Sequence, residues 1–500
     1  MAQIVIVGAG HNGLVCAYYL AKAGHSVTIL EKALIVGGAC RNERWTSGAT
    51  VSPGANHFGM LNNKIASDMG LWKQGLTIVR AAPQLIVGLH KGESLALFDD
   101  VDQTREQIKK YSVNDAKNLN PFFDDIGKAR SVIDRHVFDV SPSLSDFTDD
   151  LRSASAGLEK LFLHNSIKQT LEYYFESQQV KALFSATGFL YNAGPEEPGT
   201  SFTLAYLSLI NTHGVPGWGV PLGGMGRVVE LMEMSTRDAG ASIATGRTVT
   251  EILLRGNKAI GVKCSDGTVL SADHIVSNTD PYTTFVKLAG QSASSLAFWD
   301  ESTFTGPCAK FNFVFRGSVS PDEICERHVE LLPRSAYVYL PSIEFAQAAF
   351  TSAKSSGYSH DIYFEFVTPS AFDPKLCAPD MQIGSLYCLF ASYDLLAALN
   401  DKDRNERKKK VFDTILRKLK IKQVVESEQL DPIDIERKFG MHKGNVDHGS
   451  PVISNIFEHR NTERLFGIDR LTICGSGSHP GGLVSGIPGY NAAQKVLAVV

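Results

Sequence analysis

The sequence predicts an α/β fold, α+β overall, in which a Rossmann-type dinucleotide-binding domain is interleaved with a second domain. Three observations support this prediction. A glycine motif follows a β-branched run at the start of the chain, a second glycine loop precedes several short strands in mid-chain, and a glycine-rich segment without charge lies near the end. The chain of 500 residues also exceeds what one hydrophobic core usually organises, so we expect two lobes.

The first segment has the residue order of a nucleotide-binding βαβ unit. Residues 4–7 are an unbroken β-branched run, which is typical of a buried parallel strand. The three glycines of a GxGxxG motif follow at once: Gly8, Gly10 and Gly13. Apolar residues then recur at helical spacing, Gly24 stands where the helix should end, and residues 27–30 predict a second strand with Glu31 after it.

Each residue type in this unit has a physical role in holding a dinucleotide. Gly8 permits the tight turn, Gly10 lets the backbone approach a pyrophosphate, and Gly13 lets helix and strand pack closely. The phosphates lie at the helix N-terminus, where free N–H groups and the helix dipole favour negative charge. Glu31 accepts the hydroxyls of an adenosine ribose and repels a 2′-phosphate. The predicted contacts are Gly8, Ala9, Gly10, Asn12, Gly13, Glu31 and Lys32.

A second glycine pair favours FAD over NAD as the dinucleotide. The motif alone fits both cofactors, but Gly37 and Gly38 lie just beyond the second strand and are followed by Ala39. A glycine pair at this place resembles the second diphosphate contact of FAD-binding folds, so we add these three residues to the predicted contacts. No second GxGxxG follows a strand in mid-chain, so the sequence offers no obvious NAD(P)H module.

The cysteines do not support thiol redox or metal chemistry. Eight are scattered along the chain, and none has the CxxC spacing of a zinc site or a dithiol motif. Cys40 follows the glycine pair as the reactive thiol of flavin disulfide reductases does, but Trp45 stands where those enzymes need a second cysteine. We therefore expect single buried thiols, no metal site and no disulfide reductase chemistry.

The segment 214–281 predicts the rest of the nucleotide-binding domain. A glycine loop at 223–226 opens a predicted helix. Short strands are predicted at 242–244, 248–254, 259–264, 269–270 and 274–277. The residues SDGT at 265–268 predict a hairpin turn. As in related flavoproteins, we expect the backbone near Val249 to meet an adenine ring.

Several segments together resemble one family of flavoproteins. They are VIVGAGHNGLVCAYYLAKAGHSVTILEK at the N-terminus, GGMG at 223–226, VSNTDP at 276–281, DIERKFGMHKGNVDHG at 434–449 and CGSGSHPGGLVSGIPGYNAA at 474–493. All are similar to the phytoene desaturase-like FAD-dependent oxidoreductases of the flavin amine oxidase superfamily, and within them to the branch named pyridine nucleotide-disulfide oxidoreductase domain-containing protein 2. The resemblance covers nearly the whole chain and is weakest over 290–430. One departure is Ser52, where amine oxidase and phytoene desaturase relatives usually carry an Asp.

The resemblance implies an organisation in which the chain returns to the nucleotide domain at its end. The FAD-binding domain would comprise residues 1–60, 214–285 and 431–500, and the substrate-binding or cap domain 61–213 and 286–430. The charge-free C-terminal segment would lie against the flavin, with the helix that follows it pointing its N-terminus at the flavin C2 carbonyl and N1. The contacts predicted in this segment are Gly475, Gly477, His479, Gly482 and Val484.

The function that the resemblance implies is FAD-dependent dehydrogenation or desaturation of a hydrophobic, possibly isoprenoid or carotenoid-like, small-molecule substrate. Hydride would pass to flavin N5, and electrons would leave to O2, a quinone or a protein. Lys310 is the catalytic candidate, because amine oxidase relatives have a Lys in a similar place that holds water near N5. A solvated Lys at a strand start is the competing interpretation, and His57 and His448 receive no assigned role.

Three other functions stay open at this point. They are an amine oxidase that uses O2, a non-redox polyene isomerase, and a non-catalytic flavoprotein that acts as a binding partner. The aromatic stretch 161–191 predicts core packing or, less often, a lipophilic tunnel. The sequence does not settle the oligomeric state.

Net charge and hydropathy limit the classes of partner and the cellular compartment that we expect for this protein. The net charge of −4 offers no broad cationic surface, so we expect no nucleic-acid partner. Residues 1–21 and 471–494 are uncharged, but their glycines, with two prolines in the second stretch, argue against a signal peptide and a membrane span. We expect a cytoplasmic protein, with peripheral membrane contact possible. The basic run at 402–410 predicts a solvated helix face.

Overall fold

The computed structural model describes most of the chain, with side chains except at residues 210, 211 and 296. The described residues are 1–56, 58–90, 92–188, 193–211, 218–296, 308–449, 456–457, 460 and 466–500. His57 therefore lies outside the described residues.

Strands and helices alternate in the N-terminal part, and longer strands dominate after residue 308. The strands are β1 Gln3–Val7, β2 Ser26–Leu30, β3 Glu43–Arg44, β4 Thr50–Val51, β5 Ile78–Arg80, β6 Leu85–Gly88, β7 Ser94–Leu97, β8 Gly219–Pro221, β9 Ser242–Ala244, β10 Val249–Arg255, β11 Lys258–Cys264, β12 Val269–Ser271, β13 His274–Ser277, β14 Cys308–Arg316, β15 Ala336–Tyr339, β16 Tyr358–Val367, β17 Gln382–Ala391, β18 Gln423–Leu430 and β19 Leu471–Ile473. The helices are α1 His11–Lys22, α2 Asn63–Asp68, α3 Val101–Ile108, α4 Val113–His136, α5 Leu144–Ala154, α6 Ile167–Tyr174, α7 Gln178–Ser185, α8 Phe202–Leu207, α9 Met225–Asp238, α10 Glu326–Val329, α11 Ile343–Ser356, α12 Pro369–Phe372, α13 Tyr393–Ala397, α14 Asp401–Lys418, α15 Pro432–Phe439 and α16 Ile487–Leu497.

A five-stranded parallel sheet in the order β19-β13-β1-β2-β9 forms the nucleotide-binding part. Its central strand β1 is buried along four of five residues, as its β-branched run predicts. Helix α1 packs against α9 and α16, so the chain end returns to the first helix. Because parallel strands end at one edge, the glycine loop after β1, Glu31 after β2 and Asn278 after β13 lie together.

The second sheet has seven strands in the order β18-β14-β17-β16-β15-β6-β7, antiparallel except where β6 pairs with β15. Side chains of β14 alternate between its two faces. Phe311, Phe313 and Phe315 pack into a core with Phe412 of α14. Lys310 and Asn312 are therefore left on the opposite face, although both are buried. The strands of this sheet come from the two ranges predicted for the cap domain, whose boundaries stay a prediction.

The mid-chain hairpins match the sequence prediction closely. The strands β9 to β13 begin and end within one residue of the predicted ranges. At the SDGT turn, the Cys264 N–H donates to the Thr268 carbonyl and Gly267 has a φ of 84°. The turn prediction is therefore confirmed.

The aromatic stretch that the sequence predicts as core is largely buried in the structure over its described part. The stretch 161–188 packs as core, with Phe162, Phe175 and Phe184 buried, and residues 189–191 lie outside the described part.

The basic run does lie in α14, but it is not wholly solvated. Arg404 and Lys408 are buried and form ion pairs with carboxylates at the start of α15, which are Asp431 and Asp434. Helical spacing turns these two cations inward, one turn apart.

The described residues contain neither a membrane-spanning helix nor a cluster of metal-ligating side chains. None of the helices there is long and apolar enough to cross a membrane. In the same part of the chain, no group of three or more His, Cys, Asp or Glu side chains is arranged to hold a metal ion.

Candidate active site

A cavity of about 430 Å³ lies at the carboxyl edge of the parallel sheet and extends to the seven-stranded sheet. Its wall has two parts. The glycine half is formed by Gly8, Gly10, Gly37 and Gly38 of the two loops that follow β1 and β2. The lysine half is formed around Lys310 and Tyr387, which project from β14 and β17.

In the glycine half, the two glycine loops lie side by side. The Gly37 N–H donates to the Ala9 carbonyl at 2.8 Å, and Gly10 and Gly37 form a parallel bridge. A Cβ on Gly13 would overlap the carbonyl oxygen of Gly8, so only glycine lets α1 approach β1 this closely. No side chain caps the N-terminus of α1, whose free N–H groups are the anion-binding feature of this motif.

Glu31 is held in place by the backbone. Its two carboxylate oxygens accept hydrogen bonds from the N–H groups of Ala9 (2.7 Å) and Ala33 (2.9 Å), and the side chain is 7% exposed. Ala9 therefore contributes by fixing Glu31. Each carboxylate oxygen keeps lone-pair capacity for a ribose hydroxyl, and Glu31 lines the cavity.

Beyond Glu31 the wall continues along β10. Val249, for which the sequence predicts an adenine contact, lines the cavity here, and Lys32 is also a lining residue. The other residues that line this part are Arg247, Thr248, Thr283, Lys287 and Leu288.

The C-terminal segment contributes fewer wall residues than the sequence predicts. Val484 lines the cavity together with Ser476 and Leu483. Gly475 and Gly477 lie behind the wall instead. A Cβ on Gly475 would come within 3.1 Å of the Asn278 carbonyl oxygen, and one on Gly477 within 2.5 Å of Pro281 Cδ, so these glycines permit close packing of two loops.

Two further predicted contacts of that segment are also placed elsewhere. Gly482 packs near Ser476 and Asp447, and it is not among the residues that line the cavity. The ring nitrogens of His479 lie 3.0 Å and 2.8 Å from the carbonyl oxygens of Ile456 and His136. Burial lowers the pKa of His479 to about 4, while the two carbonyl contacts oppose this shift, and the side chain packs behind the cavity wall.

Four buried polar atoms on or beside the cavity wall have no hydrogen-bond partner among the described residues. They are His11 Nε2, Asn12 Oδ1, Asp447 Oδ2 and His448 Nδ1. Buried polar groups are almost always paired, so such a group of atoms indicates a polar ligand. Together with the anion-binding end of α1, His11 Nε2 and Asn12 Oδ1 fit a bulky cofactor that carries phosphates and hydroxyls.

In the lysine half, strand register brings together residues that are far apart in sequence. Lys310 lies opposite Tyr387, and Asn312 lies opposite Ser385. The Lys310 ammonium donates to Ser385 Oγ and lies 4.6 Å from the centre of the Tyr387 ring. Burial lowers the pKa of Lys310 to about 7, while Glu365 opposes this shift.

The lysine half is tied to the loop that precedes α2. Asn312 Nδ2 donates to the Pro53 carbonyl at 3.0 Å, and the Tyr387 hydroxyl donates to the Gly54 carbonyl at 2.9 Å. Ser52, the departure from the family pattern, lies outside the wall. Its hydroxyl accepts a hydrogen bond from the N–H of Met225 and so holds the start of α9.

Cys40 lies between the two halves and is buried. Its Sγ is 4.0 Å from His11 Nδ1. Burial raises the pKa of this thiol to about 12, so it stays protonated and is a poor nucleophile. All eight cysteines are free thiols.

Several wall residues were missed by the sequence reasoning. Asn278 is the third residue of the VSNTDP segment, and its Nδ2 would lie 2.7 Å from a Cβ on Gly10. Its position directly after a parallel strand was a usable signal. Tyr387 gave none, because only strand pairing brings it to the wall, whereas His11 lies inside the GxGxxG motif and Asp447 inside the family-like segment 434–449.

Comparison with known proteins agrees with this geometry. The model of the flavin-containing amine oxidoreductase family matches residues 13–360. The chain belongs to this family. The protein is accordingly an FAD-dependent oxidoreductase of the amine oxidase superfamily, with FAD as its cofactor.

Relatives of the flavin-containing amine oxidoreductase match over the whole chain. Pyridine nucleotide-disulfide oxidoreductase domain-containing protein 2 of Mus musculus is 27% identical to this chain. Their alignment spans 99% of this chain and 93% of the relative. Phytoene desaturase (lycopene-forming) of Pseudescherichia vulneris is 24% identical, with coverages of 100% and 98%. The structure of cyclohexylamine oxidase from Brevibacterium oxydans has a TM-score of 0.59 at 16% identity. The match covers 99% of this chain and 98% of that chain, which shows a shared fold.

FAD fits the residues that this oxidoreductase presents. The glycine half and the end of α1 are suited to the diphosphate, Glu31 to the adenosine ribose, and the wall at Val249 to the adenine. The unpartnered atoms of Asn12 and His11 adjoin the glycine loop, where the cofactor's polar groups are expected. When bound, the flavin supplies hydride acceptance from a C–H bond.

Proposed function

We propose that this oxidoreductase dehydrogenates or desaturates a hydrophobic small-molecule substrate, such as an isoprenoid or carotenoid-like molecule, with hydride passing to flavin N5. One observation carries the proposal. One cavity presents a dinucleotide-binding wall in its glycine half and a buried amine next to a phenol in its lysine half. The reacting carbon would lie in the lysine half.

In the proposed mechanism, the lysine half binds and orients. Because the pKa of Lys310 is lowered to about 7, its amine is neutral in a large fraction of molecules at neutral pH. A neutral amine accepts as well as donates hydrogen bonds, so it can hold a water molecule or a polar substrate atom in place. Tyr387, fixed by its bond to the Gly54 carbonyl, keeps the amine in position and supplies an apolar ring face.

The hydrophobic character of the substrate is supported by the wall and by one relative. The apolar and aromatic residues that line the cavity include Trp218, Val446, Leu483 and Val484. Such walls exclude water and favour a C–H donor of low polarity. The phytoene desaturase of Pseudescherichia vulneris is named for a reaction on a hydrocarbon.

Anaerobic reduction of the bound flavin tests this proposal. The purified yellow protein would be mixed with terpene and carotenoid hydrocarbons in detergent micelles, and absorption at about 450 nm followed. We expect bleaching with at least one hydrocarbon and a double bond gained in the product by mass spectrometry. Retained colour with every hydrocarbon, together with bleaching by amines, would reject the proposal in favour of the second candidate.

That second candidate is oxidation of an amine with O2. It is favoured by the buried carboxylate of Asp447 on the cavity wall, since a carboxylate attracts an ammonium group, and by the likeness in fold to cyclohexylamine oxidase. It predicts hydrogen peroxide release when amines are added in air. Catalase-sensitive peroxide formation with cyclohexylamine but not with methylcyclohexane would support it.

The electron acceptor is also part of the proposal. We propose O2, a quinone or a second protein, because the chain shows no second GxGxxG after a strand. Stopped-flow reoxidation of the reduced protein by air and by a soluble quinone separates the first two. Slow reoxidation by both would point to a protein acceptor.

A further inference from the structure

The cavity wall contains a carboxylate that has no role in the cofactor assignment or in the Lys310 cluster. Asp447 is 5% exposed and lines the cavity, and its Oδ2 has no hydrogen-bond partner among the described residues. Burying an unpaired carboxylate oxygen is costly, so a buried one usually serves a ligand or a proton.

The groups that face Asp447 come from several elements, and one of them is charged. Arg460 lies close to Asp447, but its guanidinium donates to backbone carbonyls, which are those of Asp447, Gly449 and Ser476. It therefore supplies positive charge without pairing with the carboxylate oxygen Oδ2.

The other groups that face Asp447 stay neutral at neutral pH. Burial raises the pKa of Tyr206 on α8 to about 12, and it raises the pKa of Cys308 on β14 and Tyr387 on β17 well above their usual values. Burial also lowers the pKa of the adjacent His448, which favours its neutral form. Among these neighbours, Asp447 is the group whose protonation can change near neutral pH, because burial raises its pKa to about 6.

We propose that Asp447 takes up the proton that a dehydrogenation releases, and this inference rests on the proposed function. A substrate that loses two hydrogens gives up a hydride, with both electrons of its C–H bond, and one proton. A bound flavin would accept the hydride, and the proton would form an O–H bond at Asp447 Oδ2. Atoms and electrons then balance without another reactant, and the carboxylate becomes a neutral carboxylic acid until the protein is reoxidised.

The negative charge added by flavin reduction sets the direction in which the pKa of Asp447 changes. Reduction adds negative charge to the cavity, and a like charge disfavours the carboxylate, so the pKa of Asp447 rises further. Below about pH 6 the carboxyl is already protonated, because its pKa is raised to about 6. Above that pH, two-electron reduction should therefore take up two protons, one of them at Asp447.

The midpoint potential of the bound flavin measures this proton directly, without any substrate. The holoprotein would be titrated with dithionite in the presence of reference dyes between pH 6 and pH 8. One proton per two electrons changes the potential by about 29.6 mV per pH unit, and two protons change it by about 59 mV. Lys310 lines the same cavity, and burial lowers its pKa to about 7, so it also titrates in this range and the compared proteins therefore carry Lys310→Met. We expect the steeper slope where Asp447 is present and the shallower slope for Asp447→Asn. Over two pH units the variant then gains about a hundredfold in its ratio of reduced to oxidised flavin.

Asp280→Asn is the matched control. Asp280 also lines the cavity, but its carboxylate already accepts hydrogen bonds from the Thr283 N–H (2.8 Å) and hydroxyl (2.7 Å). This variant should keep the steeper slope. A second variant, His448→Gln, should also keep it.

Each other outcome decides against the inference. A slope of about 29.6 mV per pH unit where Asp447 is present overturns it, whether or not Asp447→Asn retains FAD. A steep slope that persists in Asp447→Asn but is lost in His448→Gln assigns the proton to the histidine. Failure of the proposed function looks different, because the slope can be steep while no hydrocarbon bleaches the flavin.

Discussion

The two halves of the cavity wall are built by different means. In the glycine half, the main chain forms the surface, and side chains are absent so that two loops can lie side by side at Gly10 and Gly37. In the lysine half, side chains form the surface, and they are brought together by the register of β14 on β17. The glycine half thus depends on local backbone shape, whereas the lysine half depends on pairing between distant segments.

The difference predicts opposite responses to substitution. Larger side chains in the glycine half should overlap sterically with the cofactor and prevent it from binding. The lysine half should keep the cofactor and lose chemistry, because its residues are fixed by hydrogen bonds to the 53–54 loop and its charge is tuned by burial.

The largest effect is expected for Gly10→Val. A Cβ at this position would lie 2.7 Å from Asn278 Nδ2, and the larger side chain would occupy the space that the diphosphate needs. We expect a folded protein that purifies without FAD, shown by loss of absorption at about 450 nm. Gly127→Val in α4 is the control, since a Cβ on Gly127 meets no atom within 4 Å. A fully yellow Gly10→Val protein would contradict the role of the glycine half.

This contrast also explains what the sequence could predict. The glycine half can be predicted from the sequence, because GxGxxG after a strand and a glycine pair after the next strand encode a local backbone shape. The lysine half was only partly readable. Lys310 was predicted as the candidate, but the solvated alternative is wrong, since the side chain is 1% exposed. Its partners Tyr387 and Ser385 depend on strand register across more than seventy residues, which no local pattern encodes.

The C-terminal segment shows a related limit. Its glycines were predicted to meet the cofactor, yet Gly475 and Gly477 permit packing against the 278–281 loop. Glycine spacing indicates that some atom approaches the backbone closely, but it does not say on which side.

The next largest effect is expected for Lys310→Met. The substitution keeps the length and apolar stem of the side chain but removes the amine that donates to Ser385. We expect full FAD content and a loss of about 10²-fold or more in the rate of flavin reduction by substrate, the range for removing a positioned proton-transfer or hydrogen-bonding group. Ser385→Ala, which removes only the acceptor, should cost less. If Lys310→Met reduces flavin at the parent rate, the lysine half has no part in the chemistry.

A smaller effect is expected from pH alone. The pKa of Lys310 is lowered to about 7 by burial, so its amine is neutral above that pH and charged below it. The neutral form accepts a hydrogen bond, and we therefore expect the reduction rate to fall as pH falls below 7, approaching tenfold per pH unit. Rapid-mixing measurements from pH 6 to pH 9 would show this, and Lys310→Met should lack the step near pH 7. A rate that rises as the pH falls would mean that the charged amine is the active form.

The smallest effect is expected where the two halves meet, at Cys40. Its position after the glycine pair suggests redox chemistry, but its thiol is buried, its pKa is raised to about 12, and Trp45 replaces a second cysteine. Cys40→Ser should therefore retain FAD and change the reduction rate by less than about twofold, because no electron passes through a thiol that stays protonated. The measurement is the same anaerobic bleaching, with Cys16→Ser in α1 as a control for burying a hydroxyl in place of a buried thiol. A large rate loss in Cys40→Ser but not in Cys16→Ser would show that Cys40 takes part in the chemistry of the site.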